Sequence, residues 1–117
     1  IFLMHCVSVY PGSYNEANIP KMNKYKTICN NVGLSDHIEG VESSKIAIGE
    51  GAVIIEKHFT IDRSLPGRDN KFSILPEQLK ELSDFIKNRE LMLKDHGPGF
   101  NIKENDSREN YTGRFNG

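Results

Sequence analysis

Two hydrophobic rhythms alternate along this chain. Ile1 to Val7 is a continuous apolar run broken by His5, the pattern of a strand buried on both faces as in a parallel sheet. Ser8-Val9-Tyr10-Pro11-Gly12-Ser13 is turn chemistry. Ile19, Met22, Tyr25 and Ile28 then recur every third residue, predicting an amphipathic helix with Pro20 in its first turn. Val32-Gly33-Leu34 reads as a second, very short strand. Val41 to Glu50 reads as a short helix closed by Gly49 and Gly51. Ala52 to Phe59 predicts a third strand around β-branched Val53-Ile54-Ile55. A polar loop, Thr60 to Ser73, carries the turn Pro66-Gly67-Arg68-Asp69. Pro76 opens a last helix, with Leu79, Leu82, Ile86 and Leu93 on one face to about Lys94. Gly97-Pro98-Gly99 breaks it, and the polar stretch from Lys103 shows no periodicity. Residues 1–96 are therefore expected to fold as one unit, with 97–117 as linker or tail.

The order β-α-β-α-β-α with short connections argues for an α/β architecture of parallel strands. Three such units make an open sheet or a segment of a β/α barrel, and in both, ligands bind at the C-terminal ends of the strands. His37, His58 and the Ser8–Tyr10 turn fall at those ends. Residues two apart in a strand share a face. Ser35 should thus accompany His37 and Glu56 should accompany His58, while Asp36 should face away into a structural role.

Composition removes several alternatives. The chain has 117 residues, 15 basic and 16 acidic side chains and 37% hydrophobic residues. That balance gives no electrostatic reason to expect nucleic acid or an anionic membrane as a partner. The opening Ile1-Phe2-Leu3-Met4 is too short to span a bilayer and lacks a basic n-region. It reads as a buried strand continuing from upstream, so a piece of a longer protein is expected. Cys6 and Cys29 are expected to be reduced, buried small hydrophobes in a cytoplasmic setting.

His37 and His58 are candidate ligands for a divalent metal, too few for a closed structural zinc site but enough for an open one. The alternative is two unrelated polar strand ends. Glu56 is a candidate general acid or base, or a partner to the ligands; a salt bridge to a neighbouring lysine is the plainer reading. Ser8 and Ser35 could hydrogen-bond a phosphate, although no Walker-type or GxGxxG loop supports nucleotide binding.

His5-Cys6-Val7-Ser8-Val9-Tyr10-Pro11, Gly33-Leu34-Ser35-Asp36-His37, Ile55-Glu56-Lys57-His58-Phe59-Thr60, Asp62-Arg63, Pro66-Gly67-Arg68-Asp69 and Leu75-Pro76-Glu77-Gln78-Leu79 follow one another in order. Together, over about residues 1 to 100, they resemble the C-terminal part of the barrel of the sialic acid synthase family, which includes N-acetylneuraminate, legionaminic and pseudaminic acid synthases. The resemblance implies the last three units of a (β/α)8 TIM barrel. It implies condensation of phosphoenolpyruvate with an N-acetylated, ManNAc-like hexosamine to a nonulosonic acid, with release of phosphate and a divalent metal, Mn2+ or Mg2+. It places the metal on His37 and His58, the phosphoenolpyruvate phosphate near Ser8 and Ser35, the amino sugar near Tyr10 and Asp69, and Glu56 close to the metal. It implies a homodimer for the full-length protein, and a fragment inactive alone because half the phosphate site lies upstream. The chain departs from the family pattern at Ile38, Arg68 and Asn70, on sugar-facing loops. Another phosphoenolpyruvate-dependent aldol synthase on the same barrel, or a non-catalytic sugar- or metal-binding remnant, stays open at this point.

Overall fold

The computed structural model describes residues 1–111 and 113. Three parallel strands, β1 (Leu3–Cys6), β2 (Val32–Asp36) and β3 (Ile55–Lys57), lie in sequence order, with β2 central. Helices α1 (Lys21–Lys26) and α2 (Glu42–Gly49) form the crossovers, and α3 (Pro76–Met92) follows β3. The expected order of elements is therefore present, and the strands are parallel.

Each boundary has a local cause. Pro20 precedes α1, where a missing N–H costs nothing. Gly51 adopts φ +95 just past α2, the left-handed geometry that ends helices. The Lys26 ammonium donates to the Glu50 carbonyl, answering the negative end of α2. At the start of α3, Gln78 Oε1 accepts from the Leu75 N–H at 3.0 Å and from Arg63 at 2.8 Å.

The core lies on the helix side of the sheet. Ile19, Met22, Val32, Leu34 and Ala47 form one cluster, and Val41, Ile48, Ile74 and Leu82 a second, with Ile55 touching both. The opposite face is open, which corrects the expectation that β1 is buried on both sides. Ile1 and Phe2 are exposed and lie outside the strand, and Cys6 is exposed rather than buried. Both cysteines are free. The third strand is shorter than Ala52–Phe59: Ala52 gives its N–H to Ala47 in α2, Val53 and Ile54 reach β2 through single bonds to Val32 and Leu34, and regular pairing spans Ile55–Lys57. Beyond residue 97, where no regular structure was expected, a helical turn (Ile102–Glu104) leads into a short helix, α4 (Asn105–Tyr111). Asn101 caps that turn by accepting from the Lys103 N–H, a local signal that periodicity does not register. The last residues of the expected tail, 112 and 114–117, lie outside the described residues.

Gly33 shows how tightly the sheet is seated. A Cβ there would lie 2.7 Å from Met4 Sδ and closer still to Ile54 Cγ2 and the Ile54 carbonyl, whose oxygen already accepts from Leu34. Gly33→Ala should therefore destabilise the fold by about 1–3 kcal/mol through overpacking. A lowered midpoint of thermal unfolding is the readout; an unchanged midpoint would mean that Ile54 yields freely.

Candidate functional site

Residues at equivalent heights on the three strands make the floor of the site. Cys6 pairs in register with Ser35, and Ser35 with Glu56. All three point to the open face, as the two-residue period requires. The Ser35 hydroxyl donates to Glu56 Oε1 at 2.8 Å. No lysine or arginine among the described residues forms an ion pair with Glu56, so the salt-bridge reading of this carboxylate does not hold. Ser8 continues the floor past β1, its Oγ 3.8 Å from Cys6 Sγ.

His37 and His58 stand one step further along β2 and β3. Their ring centroids are 5.4 Å apart. The His37 Nδ1–H donates to the Val7 carbonyl at 3.0 Å, which leaves the Nε2 lone pair of the neutral ring free. Cys6 Sγ lies 3.7 Å from the same Nδ1. Tyr10 packs against both rings, stacked on His58 at 4.5 Å and edge-on to His37 at 5.6 Å. Its hydroxyl donates to the Asp69 carbonyl at 3.1 Å, which draws the long loop after β3 to the rim. Burial pushes the Tyr10 hydroxyl up from its ordinary pKa, and the charges of Asp69 and Glu39 add to this against Ser73 and Arg63. The group is a neutral donor near pH 7. Asp69 reaches the rim by its backbone; its carboxylate has no hydrogen bond or ion pair among the described residues. A depression of about 240 Å³ at the strand ends is lined by Ser35, Asp36, His37, Glu56, Lys57 and His58.

The donor set fits a divalent cation in an open site. Two imidazoles at this separation can share one ion, and a ligating histidine commonly donates its second ring N–H to a carbonyl, as His37 does. Among the described residues no third His, Cys, Asp or Glu converges with them, so further ligands would come from substrate, water or other chain.

Asp36 faces the opposite way, as expected, and is 3% exposed. It accepts from Ser43 and Ser44 at 2.6 Å each and from the Ile38 N–H at 3.0 Å, and it pairs with Lys57 at 3.0 Å. Burial alone would raise the Asp36 pKa. The two serines, the amide and Lys57 outweigh it and hold the carboxyl below the usual carboxylate range. Asn70, on the same loop as Asp69, uses its side-chain amide within the loop, donating to Asp62 and Leu65 carbonyls.

Two residues escaped the sequence reading. Cys6 belongs to the floor row, signalled by its matching position with Ser35 and Glu56. Lys57 was passed over although it stands between Ile55 and Phe59 on the alternation that should pack against helices. A lysine there demands a buried partner, and Asp36 is the carboxylate on the same face of β2.

Comparison with known proteins adds a separate line of observation. A family model described as the NeuB family matches residues 1–97. The N,N'-diacetyllegionaminic acid synthase of Legionella pneumophila is 42% identical over 97 residues, 80% of this chain and 26% of that protein. The enzyme of the same name from Campylobacter jejuni is 42% identical over 88 residues, 74% of this chain and 26% of that protein. A crystal structure of the N-acetylneuraminic acid (sialic acid) synthetase from Leptospira borgpetersenii superposes with a TM-score of 0.73 and 34% identity, covering 92% of this chain and 38% of that one. The chain spans about a quarter of the length of the curated relatives it matches.

Proposed function

Because the chain belongs to the NeuB family and carries three parallel βα units of a TIM barrel, we propose that it forms the last three units of a longer condensing enzyme. That enzyme joins phosphoenolpyruvate to an N-acetylated hexosamine of the N-acetylmannosamine type, giving a sialic-acid-type nonulosonic acid and releasing phosphate. One observation carries the reading: two imidazoles 5.4 Å apart on adjacent strand ends, above a hydrogen-bonded Ser35–Glu56 pair.

In this proposal His37 and His58 hold Mn2+ or Mg2+. When bound there, the cation supplies Lewis-acid polarisation of the sugar carbonyl. Tyr10 orients the sugar by its face and its neutral hydroxyl, and Asp69 binds it from the loop. Ser8 donates to the phosphoenolpyruvate phosphate, and Ser35 does so by turning its one O–H away from Glu56, to which it donates in this structure. Glu56 takes or returns a proton, or orders water, at the reacting carbons. The small-molecule partners are phosphoenolpyruvate and the amino sugar, and the full-length protein is a cytoplasmic homodimer by the same resemblance. These three units alone should be inactive, since the same resemblance assigns much of the phosphate site to the other units of the barrel.

Phosphate release by the full-length protein, assayed with phosphoenolpyruvate, Mn2+ and N-acetylmannosamine or a diacetamido hexose, is expected to depend on the sugar. No sugar-dependent release with any of these acceptors would sink the proposal.

A further inference from the structure

Ladder pairing between β2 and β3 ends at Asp36 opposite Lys57. The next residues, His37 and His58, have no ladder partner in each other. Each is held from its outer side instead: the Gly12 N–H donates to the His37 carbonyl at 2.8 Å, and the Ile74 N–H donates to the His58 carbonyl at 2.9 Å. Nothing in the backbone ladder therefore sets the gap between the two histidines, and two parallel strand ends are free to splay there.

The gap is spanned from behind the sheet. Lys57 immediately precedes His58, and its ammonium pairs with the Asp36 carboxylate at 3.0 Å, the two side chains being 6% and 1% exposed. The same ammonium donates to the Ile38 carbonyl. Lys57 thus grips β2 at the residue before His37 and at the residue after it. Asp36 is itself fixed to the first turn of α2 through Ser43 and Ser44, so the grip is anchored to a helix. Burying an ion pair carries a desolvation penalty that makes it poor as mere glue, whereas such a pair can serve to fix register.

We infer that Lys57, braced by Asp36, Ser43 and Ser44, is a positioning residue that sets the His37–His58 spacing. This rests on the reading of the two histidines as a shared cation site. The Lys57 ammonium is spent on the Asp36 carboxylate and the Ile38 carbonyl. It acts by holding two backbones at one separation.

The test uses the full-length protein and Mn2+ as probe, with free Mn2+ followed by electron paramagnetic resonance. Lys57→Met should weaken Mn2+ binding by about 10- to 100-fold, the range seen when groups that orient metal ligands are removed. Because Lys57→Met alone strands a buried carboxylate, the neutral double variant Asp36→Asn, Lys57→Met is measured beside it, with circular dichroism confirming its fold. The same loss is expected in the double variant. The absorption bands of bound Co2+ should also shift, reporting altered coordination that a change in stability alone would not produce. His37→Ala separates the two claims. If it abolishes Mn2+ binding while the folded double variant binds within twofold of wild type with an unshifted Co2+ spectrum, the positioning role is overturned and the cation site stands. If His37→Ala itself binds Mn2+ like wild type, the cation reading fails and the inference fails with it.

Discussion

His37→Ala in the full-length protein is expected to lower phosphate release about a thousandfold, and His58→Ala to do the same. The size follows from what the imidazoles are proposed to hold. A Lewis acid at a developing alkoxide contributes several kcal/mol, and roughly 4 kcal/mol corresponds to a factor of about a thousand. Structural damage from the substitution is far smaller. The His37 ring donates to the Val7 carbonyl, lies 3.7 Å from Cys6 Sγ through the same Nδ1, and meets the rings of Tyr10 and His58. Losing such a hydrogen bond costs about 0.5–1.5 kcal/mol. His58 contributes its face to Tyr10 at 4.5 Å, and Tyr10 retains Phe72 at 5.7 Å as a second neighbour. Both variants should therefore fold, and excess Mn2+ should fail to restore wild-type turnover. His96→Ala is the control, because that residue is exposed beyond α3 and far along the chain from the rim. Wild-type turnover and Mn2+ affinity in both His37→Ala and His58→Ala would remove the ligand assignment.

The site was legible where period and backbone agree. The two-residue alternation puts Ser35 with His37 and Glu56 with His58, and it turns Asp36 away; the parallel register then sets Ser35 opposite Glu56. The apolar runs and the three-residue spacing also yielded the order of strands and helices. Burial was less legible, for a physical reason. Hydrophobic pattern records the surroundings in which a segment is finally covered, and residues 1–111 expose Ile1, Val53, Ile54, Phe59 and Leu79. The groove between β3 and α3, about 410 Å³ and lined by Ile55, Phe59, Leu79, Leu82 and Ile86, has the same character. β1 thus reads as two-sided while one side stands open. Lys57 was missed for a related reason. A lysine in a strand is ordinarily assigned to solvent, and its burial becomes visible only when β2 supplies Asp36 at the paired position. The helix at Asn105–Tyr111 carries almost no apolar residues, so no amphipathic period could announce it.

Glu56→Gln is the second large effect, expected at roughly 100- to 10,000-fold on kcat/KM, the range for loss of a positioned general acid or base. The substitution is nearly isosteric, and the amide oxygen can still accept the Ser35 hydroxyl that now bonds Oε1 at 2.8 Å. Glu56 is exposed and takes part in no ion pair among the described residues, so removing its charge leaves no buried partner stranded and the fold should be untouched. The loss then belongs to the missing proton exchange or to the missing negative charge beside the cation. Titrating Mn2+ separates them. If the charge alone matters, Glu56→Gln should recover most of its rate at saturating Mn2+, because its defect is weaker binding. If proton transfer matters, the rate at saturating Mn2+ stays low and the pH profile loses one limb. Ser35→Ala provides the internal reference, since it keeps the carboxylate but removes its donor and one proposed phosphate contact. Its effect should be about tenfold, the worth of one hydrogen bond of about 1.4 kcal/mol. A Glu56→Gln enzyme as active as wild type at limiting Mn2+ would show that the carboxylate neither moves a proton nor supports the cation, and the Ser35–Glu56 pair would then be a structural feature of the floor.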